Sequence, residues 1–594
     1  MALPRRLHLV YKPSSNIPDR SGLLGLSHNS IFRRYRGTAA AARVLFNDEL
    51  IRQVIDNLCP EGQNQKSLLS LALSAKAFTE SALQKLWAEQ STLRPLFNVL
   101  SHAVDLDNAT SWLDEFMTTA YGRTTPGTPK FARFVSYANM VRTLRWSGCD
   151  NLDAKLGLFM VLKSGGISML PQLRTFCWEE NYTYHFPLYR LFIGPSIRHL
   201  QLSWDPRALL HQCFNIRHFF DWVSCQNLSL SSLSIQITMG DRPWLSLPAD
   251  YFLSCSVIAD GVNEFVESQK DSLRNVSIGL GSPFSGFLPS SDVVSAATIT
   301  SLSFQLWHLR PDLETAFPNL KSLRLEFPYQ FEAHAQVIKQ FQCPELENLE
   351  LSFGTRATSF IYHAMSPVPP QYIYLNGVVL ASFARHVRSL TVVHYSDDER
   401  EQADLFEALL ACPLPQLTAL DVTMDVLRLE PCDLLATLPR AYPDLAVLAL
   451  RRTPHMRRFT APLVRCTLLQ AQALLHQLPR VHTLTLEVET FALADPRTRA
   501  LLAKRPCARL RRWDAVQSFV DWDGWREPDL GRVARAVRAA FPNVAEVQFM
   551  PLPDHLRNDL RWREINRWLR GELKEKNQFR ECLKAGWAAH WPFM

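Results

Sequence analysis

At 594 residues the chain exceeds the roughly 250 to 300 residues over which a single hydrophobic core keeps growing, so it is either multidomain or a repeat array whose core extends in one dimension. A hydrophobic fraction of 47% against 20% charged residues excludes a wholly disordered chain, and a net charge of +7 with acids and bases interspersed argues against a dedicated nucleic-acid binder. No window reaches about 18 uninterrupted apolar residues and Met1 to Val10 is too short for a secretory signal, so a soluble, cytoplasmic or nuclear protein is expected.

Residues 1–42 read as a disordered basic tail, with Pro4, Pro13 and Pro18, an Arg33, Arg34, Arg36 cluster and only Asp19 as an acid. A helical pattern begins at about Arg43. Leu50, Ile51, Val54, Ile55 and Leu58 recur at i, i+1, i+4, i+5 and i+8, which makes one apolar stripe on a helix. Asn47 or Asp48 suits its N-cap, and Pro60 with Gly62 closes it. Leu68, Leu69, Ala72, Leu73 and Ala77 form a second short amphipathic helix, and Ser81 to Trp87 a third. Three short helices within about 45 residues fall below the size at which a domain is usually stable alone, so a partner surface is expected. The alternative is that they cap whatever follows and pack only against it.

At these residues the sequence resembles the F-box family. Phe46 to Leu58 is similar to the family's opening helix, written Leu-Pro-x-Glu-Leu-Leu-x-x-Ile-Leu-x-x-Leu. Ser67 to Phe78 and Ala82 to Trp87 are similar to its later portion, as seen in mushroom-forming fungi. Here Phe46 and Asn47 replace the family's leading Leu-Pro. The resemblance implies a helical module at 43–95 that binds a Skp-type adaptor, and through it a cullin. It assigns Phe46, Leu50, Ile51, Ile55, Leu58, Leu69, Leu73 and Trp87 to that interface or to its immediate support. The function implied is that of a substrate-recognition subunit of an SCF-type ubiquitin ligase, non-catalytic in itself.

A helical linker is expected at 96–137. From 138 to 555 a unit of apolar-x-x-apolar-x-apolar repeats at intervals of roughly 21 to 43 residues. Clear cases begin at Leu173, Ile197, Leu273, Leu320, Leu346, Leu417, Leu445 and Val481, and weaker ones at Val141, Leu230, Ile299, Val387, Leu510 and Val544. Each predicts a short parallel strand with alternate side chains inward, followed by a return that is usually helical, as at Ala403 to Ala411, Leu434 to Leu438 and Ala471 to Leu478. A Pro-containing turn precedes many of them: Phe317-Pro-Asn-Leu320, Cys343-Pro-Glu-Leu346, Leu414-Pro-Gln-Leu417, Tyr442-Pro-Asp-Leu445 and Phe541-Pro-Asn-Val544. The stretch resembles the leucine-rich repeats often paired with F-boxes, without the Asn that many such repeats carry after the strand. The fold class expected is therefore α/β, a three-helix module followed by a ribonuclease-inhibitor-like solenoid.

Stacking such strands would gather their outward residues into a polar concave surface: Arg145, Gln201, Ser277, Ser303, Arg324, Glu350, Thr391, Asp421, Thr485 and Gln548. A wide polar surface suits a folded protein target better than a small molecule, which needs a deep apolar pocket. Arg145, Gln201, Arg324, Glu350, Thr391, Asp421, Thr485 and Gln548 are the candidate target-binding residues. Longer intervals near 205–229, 236–272 and 353–386 leave room for inserted loops, the last rich in Pro and Tyr. Residues 556–594 predict a helical cap, with Trp562, Ile565, Trp568 and Leu569 on one face.

Catalytic signatures are missing: no G-x-S-x-G, Walker loop, H-E-x-x-H or metal-spaced Cys/His cluster occurs in the sequence. The 12 cysteines stand singly, as in a reduced intracellular protein. Gly279-Leu-Gly281-Ser-Pro-Phe-Ser-Gly286 lacks the Lys of a phosphate loop. No enzyme, metal or cofactor is expected. Arg451, Arg452, Arg457, Arg458, Arg509, Arg511 and Arg512 form basic groups that read as a solvated edge, with phosphate or an acidic protein as the alternative. A repeat scaffold without any ubiquitin-ligase role remains the second functional reading.

Overall fold

The computed structural model describes residues 48–58, 65–74, 76–100, 129–147, 168–180, 189–204, 216–237, 249–279, 298–305, 315–327, 341–353, 386–394, 405–407, 409–412, 414–424, 437–452, 466–486, 488–489, 496–515, 529–544, 546–548 and 556–570. The basic tail, Phe46, Asn47, the Pro- and Tyr-rich insert at 354–385, Arg457, Arg458 and the chain after 570 lie outside them.

The first helices are α1 (Asp48–Leu58), α2 (Gln65–Ser74) and α3 (Lys76–Ala88). Their apolar residues make a small core of their own from Ile51, Ile55, Leu68, Ala72 and Ala82, with Leu71 and Phe78 against it. Thr79 Oγ1 donates to the Ala72 carbonyl at 2.8 Å and so fixes the α2–α3 corner. Lys85 Nζ reaches Asp56 at 2.8 Å and ties α3 to α1.

Directly after α3 the chain enters a parallel sheet of 15 strands whose spatial order is its chain order. The strands are β1 (Glu89–Gln90), β2 (Thr143–Ser147), β3 (Thr175–Glu180), β4 (His199–Trp204), β5 (Ser232–Ile237), β6 (Asn275–Gly279), β7 (Ser301–Gln305) and β8 (Ser322–Phe327). They continue with β9 (Asn348–Phe353), β10 (Ser389–His394), β11 (Ala419–Met424), β12 (Val447–Arg452), β13 (Thr483–Thr485), β14 (Arg512–Asp514) and β15 (Val547–Gln548). Every repeat unit found in the sequence, clear or weak, supplies one strand. The sheet begins at Glu89, ahead of the boundary at 138 that the repeat motif suggests. Glu89 pairs with Thr143 and Gln90 with Leu144, and Leu93 is buried in the core of the sheet together with Leu96 of helix α4 (Arg94–Leu100) and Phe134 and Ala138 of helix α5 (Pro129–Ala138). The stretch expected as a helical linker, where described, packs apolar side chains into the core of the sheet.

A parallel strand needs a crossover to return the chain to its starting edge. The returns end in tight turns that bring the chain back to that edge. The N–H of Leu320 bonds the Phe317 carbonyl at 3.4 Å, that of Leu417 the Leu414 carbonyl at 3.1 Å, and that of Val544 the Phe541 carbonyl at 3.2 Å. These are i to i+3 turns with Pro318, Pro415 and Pro542 at the second position, where the fixed φ of proline is already correct. The residue before each strand then links repeats: the Arg174 carbonyl accepts the N–H groups of both Arg198 and His199, at 2.8 and 2.9 Å. The same double bond recurs along the sheet and sets its register.

Where the returns are described they are partly helical, among them α6 (Tyr189–Phe192), α7 (Ala249–Ser268), α8 (Leu468–Gln477), α9 (Pro496–Lys504) and α10 (Asp529–Ala540). Thr467 caps α8 through a reciprocal pair: its Oγ1 accepts from Gln470 N–H at 3.3 Å while Gln470 Oε1 accepts from Thr467 N–H at 2.8 Å. The Thr-x-x-Gln spacing makes that box possible. Core filling changes along the chain. Near β2 to β5 it is aromatic, with Trp146 stacked on Trp178 at 5.9 Å and Phe192, Phe219 and Phe220 around them. From β8 to β12 it is mostly leucine and valine.

The last strand is closed by α11 (Leu556–Leu569). Ile565 and Leu569 of the expected apolar face are buried, and Trp568 packs against the core from the side. Asn566, 2% exposed, accepts the Val547 N–H at 2.8 Å and donates to the Val547 carbonyl at 2.7 Å. Its amide thus satisfies the strand edge as a further strand would.

Candidate functional site

Two surfaces carry the residues singled out in the sequence. The first is on the N-terminal helices. The α1 stripe is two residues wide, and the small core uses only half of it: Ile51 and Ile55 are 1% and 2% exposed, whereas Leu50 and Val54 are 36% and 38% exposed. On α2, Leu68 and Ala72 turn inward while Leu69 and Leu73 are 48% and 79% exposed. Each exposed pair is spaced i, i+4, which places it on one side of its helix. Of the six large hydrophobic side chains most exposed among the described residues, these are four.

The eight residues of the resemblance therefore separate. Leu50, Leu69 and Leu73 face outward. Ile51 and Ile55 are core and can only support such a face. Trp87 turns to the sheet instead: its ring stacks on Tyr137 of α5 at 4.6 Å and 8°, packed against the main core. The orientation of Leu58 and the whole of Phe46 lie outside the described side chains. Val54 belongs with the outward group, and its i+4 spacing from Leu50 is the signal that marks it.

The second surface is the open face of the sheet. Register brings the residue after the central apolar position of each strand into one row, running Arg145, Cys177, Gln201, Ser234, Ser277, Ser303, Arg324 and on through Glu350, Thr391, Asp421, Ala449, Thr485, Asp514 and Gln548. All eight candidate target-binding residues belong to it. Arg145, Gln201, Arg324 and Gln548 are exposed; Glu350, Thr391 and Asp421 are half-buried. Thr485 is the exception, at 3% exposure, so it shares the row without offering its hydroxyl to a ligand.

The middle of the row is ionic. Arg324 meets Glu326 at 2.8 Å and Glu350 at 3.3 Å, and Arg451 meets Asp421 at 3.3 Å. Burial pushes the Glu350 and Asp421 carboxyls above the usual range, against the pull of Arg324 and Arg451 respectively. Asp421 Oδ1 is enclosed with no hydrogen-bond partner. At the far end Arg512 donates to Gln548. Half-desolvated charges beside hydroxyls and amides can read a complementary polar surface, each exchanging an internal ion pair for one across an interface.

Among the described residues no group of three His, Cys, Asp or Glu is placed to hold a metal ion, and no helix is long and apolar enough to cross a membrane. The buried thiols of Cys343 and Cys466 are pushed up to about 12 and those of Cys412 and Cys507 to about 11 by burial, which keeps them protonated and poor nucleophiles. Fold and surfaces together define an α/β protein with a long parallel sheet laid down in chain order and a separate apolar helical module at its start. No protein-family model and no curated protein matches the chain.

Proposed function

We propose that the chain is a substrate receptor of an SCF-type ubiquitin ligase: α1 to α3 act as an F-box that docks a Skp-type adaptor, and the strands form a leucine-rich-repeat solenoid whose open face holds a protein target. Catalysis belongs to other subunits, which carry activated ubiquitin to lysines of the target. The observation that carries this reading is the exposed apolar pairs Leu50/Val54 and Leu69/Leu73 on a module with its own core. Capping the sheet does not explain them, since the joint to the sheet is made by Trp87 and the chain running into β1. An apolar stripe turned to water suits a protein partner.

The test is recovery of the adaptor and cullin with the full chain from cells. Leu69→Lys with Leu73→Lys should abolish recovery while leaving the thermal midpoint unchanged, because both side chains are exposed. Ile55→Lys is a poor probe, since it would unfold the module. Failure of the unmutated chain to recover any adaptor would support the second reading, a repeat scaffold without a ligase role.

A further inference from the structure

One run of the chain is strongly basic. Between Asp495 and Asp514 stand Arg497, Arg499, Lys504, Arg505, Arg509, Arg511 and Arg512 with no acid among them. The chain as a whole holds 64 basic and 57 acidic residues, so a run of seven bases without an acid stands out from its average. These seven lie in α9, the following turn and the start of β14.

Lys504, Arg505, Arg509, Arg511 and Arg512 are exposed, and none of them pairs with a carboxylate among the described residues. Their backbone is held by the neighbouring repeat. The His482 carbonyl accepts the N–H groups of Arg511 and Arg512 at 2.9 and 3.1 Å. The Arg505 carbonyl accepts Gln472 Nε2 at 2.9 Å and lies 2.7 Å from His476 Nε2. The Arg509 side chain itself is oriented there, its Nη1 donating to the Pro479 carbonyl at 2.6 Å. The cations are thus presented from a fixed frame, which lowers the entropy lost when a ligand is clamped.

We propose that this patch binds a short acidic segment, rich in Asp and Glu, of the captured protein. Guanidinium groups pair carboxylates two bonds at a time, and exposed cations held only by neutral oxygens, as Arg509 is by the Pro479 carbonyl and Arg512 by Gln548, keep their charge available to an outside anion. The rest of the face favours a peptide over a nucleic acid. Glu179, Glu326, Glu350 and Asp421 lie along the strands before the patch, so a long polyanion following the sheet meets carboxylates, whereas a run of a few acidic residues at one end does not. This deepens the receptor reading and rests on one half of it, the binding of a protein by the repeats.

The test is a titration of the full chain into a short fluorescent Asp/Glu-rich peptide at low salt. Competitors are the Asn/Gln form of that peptide and a single-stranded oligonucleotide of equal charge. The acidic peptide should bind, the amide form should not compete, and the oligonucleotide should compete less well than unlabelled acidic peptide. Arg505→Glu/Arg509→Glu/Arg511→Glu should weaken binding by about tenfold or more. Arg274→Glu/Lys321→Glu/Arg388→Glu, which changes the net charge equally, should stay within about twofold. An unchanged thermal midpoint checks that each variant folds, and Arg→Ala replacements at 505, 509 and 511 serve if charge reversal does not. No binding of the acidic peptide by the unmutated chain, equal losses in both variants, or tighter binding of the oligonucleotide would each overturn the proposal. No adaptor enters this assay, so its failure and a failure of adaptor docking are read separately.

Discussion

Asn566 shows what one side chain can do at the end of a sheet. Its amide occupies both backbone groups of Val547, and replacing it by Ala leaves a buried donor and acceptor bare. Asn566→Ala should cost about 2 kcal/mol in denaturant unfolding, with Asn566→Asp intermediate because it keeps the acceptor. A loss below experimental error would show that water serves the edge equally well. His394 is the second telling residue. It sits in the core-facing row between Phe353 and Met424, 1% exposed, and burial pulls its pKa from 6.5 down to about 4. The unfolded imidazole takes a proton as pH falls through about 6.5, while the folded one stays neutral until about 4. Across that window the unfolded chain binds more protons, so stability declines as pH falls and is fully present above it. His394→Met should flatten this part of the stability profile, as followed by thermal unfolding against pH; an unaltered slope would contradict the assignment. Neither residue's role was visible in the sequence. Asn566 lies among charged residues on an amphipathic helix, and His394 ends a Val-Val-His run whose inward phase only the register reveals. Thr485 failed in the opposite sense: alternation places it outward, but its burial depends on neighbours that alternation does not see.

At the scale of elements, the strands after β1 were legible through apolar alternation, and many of them also through a Pro turn that begins three residues upstream of the first apolar position. β1 carries neither. Glu89 and Gln90 are polar and only two residues long, and they join the sheet because α3 delivers them beside β2. The helices were legible as helices, yet the apolar stripe of α1 did not say which half is buried. The structure divides it between Ile51 and Ile55 inside and Leu50 and Val54 outside, a division set by where α2 and α3 pack. Trp87, expected at the adaptor interface or its immediate support, was ambiguous for the same reason, since its apolar ring fits either an external partner or Tyr137, on which it stacks. Trp87→Ala should lower stability by about 2 kcal/mol through the lost stack and half-buried area. If its work is to join module and sheet, chemical denaturation followed separately on α1–α3 and on the sheet should show the two transitions drifting apart. A single transition with unchanged midpoint would remove Trp87 from the joint.

For the whole molecule, fifteen strands in chain order mean that each repeat buries its core mainly against its neighbours, so distant surfaces can diverge without disturbing one another. The two ends have done so: an apolar pair of helix faces stands at one, an exposed basic cluster near the other, and a mixed ionic row lies between them. The receptor account uses all three, for adaptor and target respectively, and its central claim is the first. Calorimetric titration of the purified chain with a purified Skp-type adaptor tests that claim most directly. The account predicts saturable one-to-one binding that Leu50→Lys/Leu73→Lys removes and Arg505→Glu/Arg509→Glu/Arg511→Glu leaves intact. No heat of binding with the unmutated, folded chain, or binding indifferent to Leu50 and Leu73, would contradict it.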